Sequence, residues 1–175
     1  KRSKTEVDAL MSLLLEFFAS EIDELDEKNV RIRILGEKET LPPEQRQALI
    51  DAEARTFDNT GLKLNIAINY GGRAEIARAA RLLARETADG LLLPEAIDEA
   101  AVADRLYTAG LPDVDLLIRT SGEMRLSNFL LWQCAYAEFV FPKKLWPDFT
   151  LQDYHECIAQ YQSRSRRYGG RDEDE

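Results

Sequence analysis

Between Asp115 and Phe149 the chain reads DLLIRTSGEMRLSNFLLWQCAYAEFVFPKKLWPDF, and its polar residues are of the types that grip a phosphate. A short apolar run with strand character, Asp115-Leu116-Leu117-Ile118, is followed at once by Arg119, Thr120, Ser121, Gly122, Arg125 and Ser127. Two guanidiniums, three hydroxyls and a glycine therefore gather where such a strand would end. Arginine suits oxyanions because its planar fork offers paired N–H donors and stays charged at any working pH. The spacing predicts that Ser127 caps a helix through Asn128 to Trp132, with free N–H groups and a positive dipole end facing the same crevice. The same residues also fit a plainer arrangement, in which Arg119 and Arg125 pair with Glu123 or other surface carboxylates. The stretch lacks the phosphate-loop pattern G-x-x-x-x-G-K-S/T, so on residues alone both arrangements stand.

The elements that must position these groups alternate between strand and helix. Val30 to Leu35 alternates as a strand closed by Gly36, and Pro42-Pro43 opens a helix running to about Phe57. After the turn Asp58-Asn59-Thr60-Gly61, Leu62 to Ile68 forms the next strand, and Gly71-Gly72 leads into a helix from about Arg73 to Thr87. Pro94 opens a further short helix. Thr150 reads as an N-cap supported by Asp153, with Leu151, Tyr154, Ile158 and Tyr161 as the buried stripe of the last helix. This order predicts an α/β fold with a mostly parallel central sheet flanked by helices, and ligand sites beyond the carboxyl ends of the strands. Asn69 to Arg73, Arg119 to Ser127, and Glu138 beside Phe139-Val140-Phe141 all fall at such ends.

Thr5 to Glu27 reads as a helix with apolar residues on more than one face: Val7, Leu10, Met11, Leu13, Leu14, Leu15, Phe17, Phe18, Ile22 and Leu25. Two readings fit: burial between a sheet and a second helix or subunit, or one wall of a lipid channel. Glu138 is similarly open, since a carboxylate beside Tyr136 and Phe139 needs a cationic partner, either an arginine or a metal ion.

At 175 residues, 45% hydrophobic and 31% charged, the chain has the composition of a soluble globular domain. A net charge of −9 argues against nucleic acid, because phosphate neutralisation needs a basic surface. Cys134 and Cys157 are too few and too scattered for a disulfide framework or zinc site, which points to a reducing cytoplasm and to packing roles. The longest apolar stretch, around Ala9 to Ala19, is interrupted by Ser12 and Glu16 and is shorter than the roughly 20 residues a bilayer span requires. His155, the single histidine, sits in the last helix and gives imidazole-based acid–base chemistry little support.

The order I-R-T-S-G-E, R-L-S-N-F-L-L-W-Q, A-Y-A-E-F-V-F and L-W-P-D-F closely resembles the cis-prenyltransferases, and within them bacterial undecaprenyl diphosphate synthases. Asn69-Tyr70-Gly71-Gly72-Arg73 matches the family's N-Y-G-G-R, and Arg166-Arg167-Tyr168-Gly169-Gly170 its terminal R-R-F-G-G. Lys1 to Val7 is similar to the portion of the family's N-W-x-R-P-x-x-E-V segment beyond its N-W, with Ser3 in place of proline. The likeness spans residues 1–170 as a single domain, with 171–175 expected to be a mobile acidic tail. The family's opening segment D-G-N-G-R-W-A has no counterpart here, so we expect a chain lacking its amino-terminal part, and with it the catalytic aspartate.

The resemblance implies a transferase condensing isopentenyl diphosphate with an allylic diphosphate, farnesyl diphosphate being the expected one. The product would be a long cis-polyprenyl diphosphate, expected to be the undecaprenyl carrier of cell-wall synthesis. It implies that Arg119, Arg125, Ser127 and the backbone at Leu126 hold isopentenyl diphosphate, and that Arg2 touches substrate. Glu138 would be a ligand of Mg2+, shared with the absent aspartate, and the first helix would wall the prenyl channel. Arg167 and Gly169 would reach across a homodimer to the neighbouring substrate site, whereas Arg164, Arg166 and Arg167 in isolation read as a solvated helix end. Met124 stands where the family often carries a polar residue. The implied setting is cytoplasmic, with peripheral contact at the inner face of the membrane for product release. The alternative from the same resemblance is a non-catalytic dimer subunit that relies on a partner for chemistry.

Overall fold

Alternating apolar residues bounded by turn formers build short strands, and helices with apolar faces cover them. The structure, a computed structural model, describes residues 4–164. It divides into two compact units, Lys1–Tyr70 and Gly71–Glu175.

In the first unit, α1 (Lys4–Glu27) and α2 (Pro43–Arg55) accompany β1 (Arg31–Leu35) and β2 (Lys63–Ala67). β1 and β2 pair in parallel, with Arg31 opposite Lys63 and Leu35 opposite Ala67. Phe18, Ile32, Ile34, Leu49 and Ala52 form the buried centre, with Leu14, Ile22, Leu25, Leu41, Ile66 and Ile68 packed around it. Burial of each large side chain contributes about 1.5–3 kcal/mol, which holds α1 and α2 against the strands. Gly36 ends β1 at φ 131, and a Cβ there would lie 2.0 Å from the Ile68 carbonyl oxygen, so only glycine fits this exit.

The outer edge of β1 is closed by side chains. Successive residues of a strand direct their backbone groups to opposite sides, and the odd-numbered residues of β1 face β2. On the other side, Asn59 Nδ2 donates to the Val30 carbonyl at 3.0 Å. The Ile32 N–H donates to Thr56 Oγ1 at 3.0 Å, and the Ile34 N–H to Glu53 Oε1 at 2.7 Å. Residues 53, 56 and 59 thus act as a surrogate strand, and Lys38 holds the second oxygen of Glu53. Meanwhile the second face of α1 exposes Leu10 at 41%, Leu13 at 59% and Phe17 at 40%. Their spacing of three and four residues makes them one stripe.

The second unit contains α3 (Gly72–Ala88), α4 (Glu99–Ala103), β3 (Leu116–Ile118), β4 (Glu138–Val140) and α5 (Leu151–Gln162). β3 and β4 are parallel, with Leu116 opposite Glu138 and Ile118 opposite Val140. Asp98 caps α4 by accepting from the Ala101 N–H at 2.8 Å. Thr150 and Asp153 form the expected reciprocal capping box at the start of α5. The buried residue of α5 is Cys157, whereas Leu151 and Tyr154 are 69% and 45% exposed, so the expected stripe is displaced toward Cys157, Ile158 and Tyr161. Glu75 is fully buried; its Oε1 accepts from the Tyr107 N–H at 2.7 Å and its Oε2 from Gln133 Nε2 at 3.2 Å. Gln133 also donates to Thr108 Oγ1 at 2.9 Å, so one polar knot ties α3 to two later loops. The expected α/β class with parallel strand pairing holds: the described strands form two parallel pairs, one in each unit.

Candidate anion-binding site

The loop that leaves β3 is anchored by its backbone. Arg119 continues the strand register by donating its N–H to the Val140 carbonyl at 3.0 Å. The Ser121 N–H bonds the Lys144 carbonyl at 2.7 Å and the Gly122 N–H the Pro142 carbonyl at 2.9 Å, fastening the first turn to the segment after β4. Ser121 at φ 70 and Gly122 at φ 66 adopt the left-handed region that reverses the chain. Further along, Arg119 Nη1 donates to the Arg125 carbonyl at 2.6 Å. The two arginines expected to act together therefore belong to one closed loop. Arginine carries five N–H donors, so one bond to a carbonyl leaves its fork able to bind an oxyanion.

The plainer pairing is also present, because Arg125 Nη1 forms an ion pair with Glu123 Oε2. At 65% exposure of the Arg125 side chain this pair contributes about 0–1 kcal/mol, which a multiply charged diphosphate would outcompete. Leu126 is half-buried and Ser127 exposed on the same turn.

Ser127 does not cap a helix. Residues 128–132 are turns, with Ser127 at φ 48, Asn128 at φ 66 and Leu130 at φ 44. Left-handed residues cannot propagate a right-handed helix, so the expected dipole end is absent from this segment. Asn128 instead spends its acceptors on α3: its carbonyl accepts from the Gly72 N–H at 2.7 Å and its Oδ1 from the Arg73 N–H at 2.8 Å. The sequence pattern did not point to this role. A helix preceded by Gly71, which has no side chain to offer as a cap, was the one signal of it.

Glu138 opens β4 and donates its N–H to the Asp115 carbonyl at 2.9 Å. Its Oε2 accepts from Arg164 Nη1 at 2.7 Å, and the same nitrogen bonds the Phe139 carbonyl at 2.9 Å. Of the two partners open to it from sequence, the arginine is the one in contact. No group of three His, Cys, Asp or Glu among the described residues is arranged to hold a metal ion. A single carboxylate held by an arginine does not fit a magnesium site built by these residues alone.

Arg2, Arg167 and Gly169 lie outside the described residues. His155 is exposed, with its ring 6.1 Å from that of Tyr154. Both cysteines are buried, and burial pushes their thiols up, with Asp113 adding to the effect on Cys134. Neither is a nucleophile in that state. Among the described residues, no helix is long and apolar enough to cross a membrane.

A parallel α/β fold that presents two arginines and a serine on a strand-end loop has the donors an oxyanion site requires. Residues 1–169 match the family model described as "Putative undecaprenyl diphosphate synthase". The chain is 52% identical over 170 residues to an isoprenyl transferase of Geobacillus kaustophilus, covering 97% of this chain and 66% of that protein. It is 48% identical over 168 residues to an isoprenyl transferase of Geobacter sulfurreducens, covering 96% and 68%. It thus spans about two thirds of the length of these curated relatives. Among solved structures, lavandulyl diphosphate synthase from Lavandula x intermedia, crystallised with dimethylallyl diphosphate, matches with a TM-score of 0.93 and 40% identity. That match covers 97% of this chain and 73% of the other. A "probable undecaprenyl diphosphate synthase" from Campylobacter jejuni matches with a TM-score of 0.83 and 35% identity, covering 96% and 76%. The chain belongs to the undecaprenyl diphosphate synthase family of prenyltransferases.

Proposed function

We propose that this protein condenses isopentenyl diphosphate with an allylic diphosphate, farnesyl diphosphate in the first instance, to extend a cis-polyprenyl chain to the undecaprenyl length. The observation that carries the proposal is the closed loop after β3, in which the Arg119 guanidinium bonds the Arg125 carbonyl, so that Arg119, Arg125 and Ser127 belong to one strand-end loop. In this role Arg119 and Arg125 bind the diphosphate of isopentenyl diphosphate, the Leu126 backbone and Ser127 hydroxyl donate to its oxygens, and Glu123 yields its place on Arg125. Arg119, already fixed by the loop backbone, is the preorganised donor of the set, whereas Arg125 must first leave Glu123. The exposed stripe Leu10–Leu13–Phe17 on α1 supplies an apolar surface for a growing prenyl chain, which supports the channel reading of that helix.

Arg2, Arg167 and Gly169 complete the proposed substrate contacts, the last two across a homodimer whose mass in solution would be that of two chains. In this reading magnesium would supply charge neutralisation to the diphosphates, and Glu138 would be available as a ligand only with its bond to Arg164 broken. The proposed setting is the cytoplasm, with product released at the inner face of the membrane.

Incubating the complete natural chain, with whatever precedes residue 1, with farnesyl diphosphate, labelled isopentenyl diphosphate and magnesium tests the reading. Stepwise addition of five-carbon units is the expected result; a product that never lengthens would remove it. A chain that elongates only when mixed with a second, different subunit would favour the non-catalytic alternative.

A further inference from the structure

Resting on the proposed role of the β3 loop in diphosphate binding, we propose that Asn128 is a positioning residue for isopentenyl diphosphate, holding the Arg125–Ser127 backbone in place by docking on the first turn of α3. Every helix start leaves four N–H groups without an intrahelical partner, and a side chain usually answers the first of them. Gly71 cannot do so, and the Asn128 side chain supplies the acceptor to Arg73 from 55 residues away. Its carbonyl takes the Gly72 N–H and its Oδ1 the Arg73 N–H, so two amides of α3 are spent on the loop and not on a ligand.

The glycine pair is shaped to this seat. A Cβ on Gly72 would stand 2.8 Å from Leu131 Cγ, and one on Gly71 would stand 2.8 Å from Asn128 Nδ2. Asn128 itself is at φ 66, which asparagine tolerates better than most residues, between Ser127 at φ 48 and near Leu130 at φ 44. Backbone in this region persists only where its surroundings over-determine it, and the two bonds to α3 provide that hold. The consequence reaches the anion-binding groups through the chain. Ser127 adjoins Asn128 directly, and the Arg119 guanidinium is tied to the Arg125 carbonyl, so movement of the turn shifts the backbone that carries Ser127 and Arg125 and the acceptor that holds Arg119.

Two substitutions separate the parts of this role in the full chain. Asn128→Gly tolerates the left-handed backbone, keeps the carbonyl acceptor and removes the side-chain amide with its Oδ1; Asn128→Ala removes the same amide and also penalises the backbone. The readouts are the exchange rates of the Gly72 and Arg73 amides and the KM for each diphosphate beside kcat. For Asn128→Gly we expect the Arg73 amide to exchange about five- to tenfold faster, in line with loss of one helix cap. The KM for isopentenyl diphosphate should rise by a similar factor, while that for the allylic diphosphate stays within about twofold. Asn128→Ala should exceed both effects. Unchanged exchange overturns the docking; faster exchange with an unchanged KM overturns the positioning role and leaves Asn128 a cap alone. Absence of isopentenyl diphosphate binding and condensation by the complete natural chain would overturn the underlying assignment of the loop, a result the amide exchange does not depend on.

Discussion

Arg119 and Arg125 differ in how the fold has prepared them. Arg119 is half-buried, bonded to the loop backbone, and already committed to one geometry; Arg125 is exposed and shares its charge with Glu123. A diphosphate must therefore compete for Arg125. Arg125→Ala is expected to raise the KM for isopentenyl diphosphate by about tenfold or more, through loss of a charge-assisted contact worth roughly 1.5–3 kcal/mol. Glu123→Gln, which removes the competitor, should lower the same KM by less than about fivefold, since an exposed pair is worth at most about 1 kcal/mol. Steady-state kinetics on the two variants checks both signs, and a rise in KM for Glu123→Gln would contradict the competition. The types of these residues, and the pairing of Arg125 with Glu123 as one of two arrangements, could be read from the sequence, but the bond from Arg119 to the Arg125 carbonyl could not. Glu138 shows why: its neighbours in the chain are aromatic, while the guanidinium that meets it comes from Arg164, just beyond α5.

At the level of elements, the closure of β1 is a prediction in itself. Strand edges with unpaired N–H groups invite addition of another strand, and here the side chains of residues 53, 56 and 59 occupy that edge. Thr56 is fully buried; its hydroxyl accepts from Ile32 and donates to the Ala52 carbonyl at 2.8 Å. Thr56→Val keeps the shape and orphans a buried N–H, which costs about 1–3 kcal/mol. Urea unfolding should show a lower midpoint, and size-exclusion chromatography should show self-association; an unchanged midpoint would mean that water replaces the hydroxyl. The start of α5 carries a pH dependence. Lys144, and next Thr150, draw the Asp153 carboxyl from its ordinary 3.8 down to about 2. A depressed folded-state value means that Asp153 stabilises α5 fully above pH 3.8 and loses that contribution as the pH falls toward 2. Circular dichroism of Asp153→Asn across pH 2–5 should therefore converge with wild type at the acid end and diverge above it.

For the whole molecule, a charge of −9 would oppose the proposed polyanionic substrates at long range, so in that proposal capture depends on short-range donors on the β3 loop. The sequence by itself determined the alternation of strands and helices, the capping box at Thr150, the proline-led starts of α2 and near Pro94, and the types of residue on the loop. These are local matters, set by side-chain periodicity, by missing N–H groups and by hydroxyls within reach of their own backbone. Only the tertiary structure decided that Ser127 lies in a left-handed turn instead of capping a helix, that Asn128 caps α3, and that Arg164 holds Glu138. Each of these joins residues 26 or 55 positions apart, or results from such a junction, and no pattern along the chain reports which distant acceptor a free N–H or guanidinium will find. The glycine pair Gly71-Gly72 marks the boundary between the two kinds of knowledge: its presence announces a close approach, and the fold alone names Asn128 and Leu131 as what approaches.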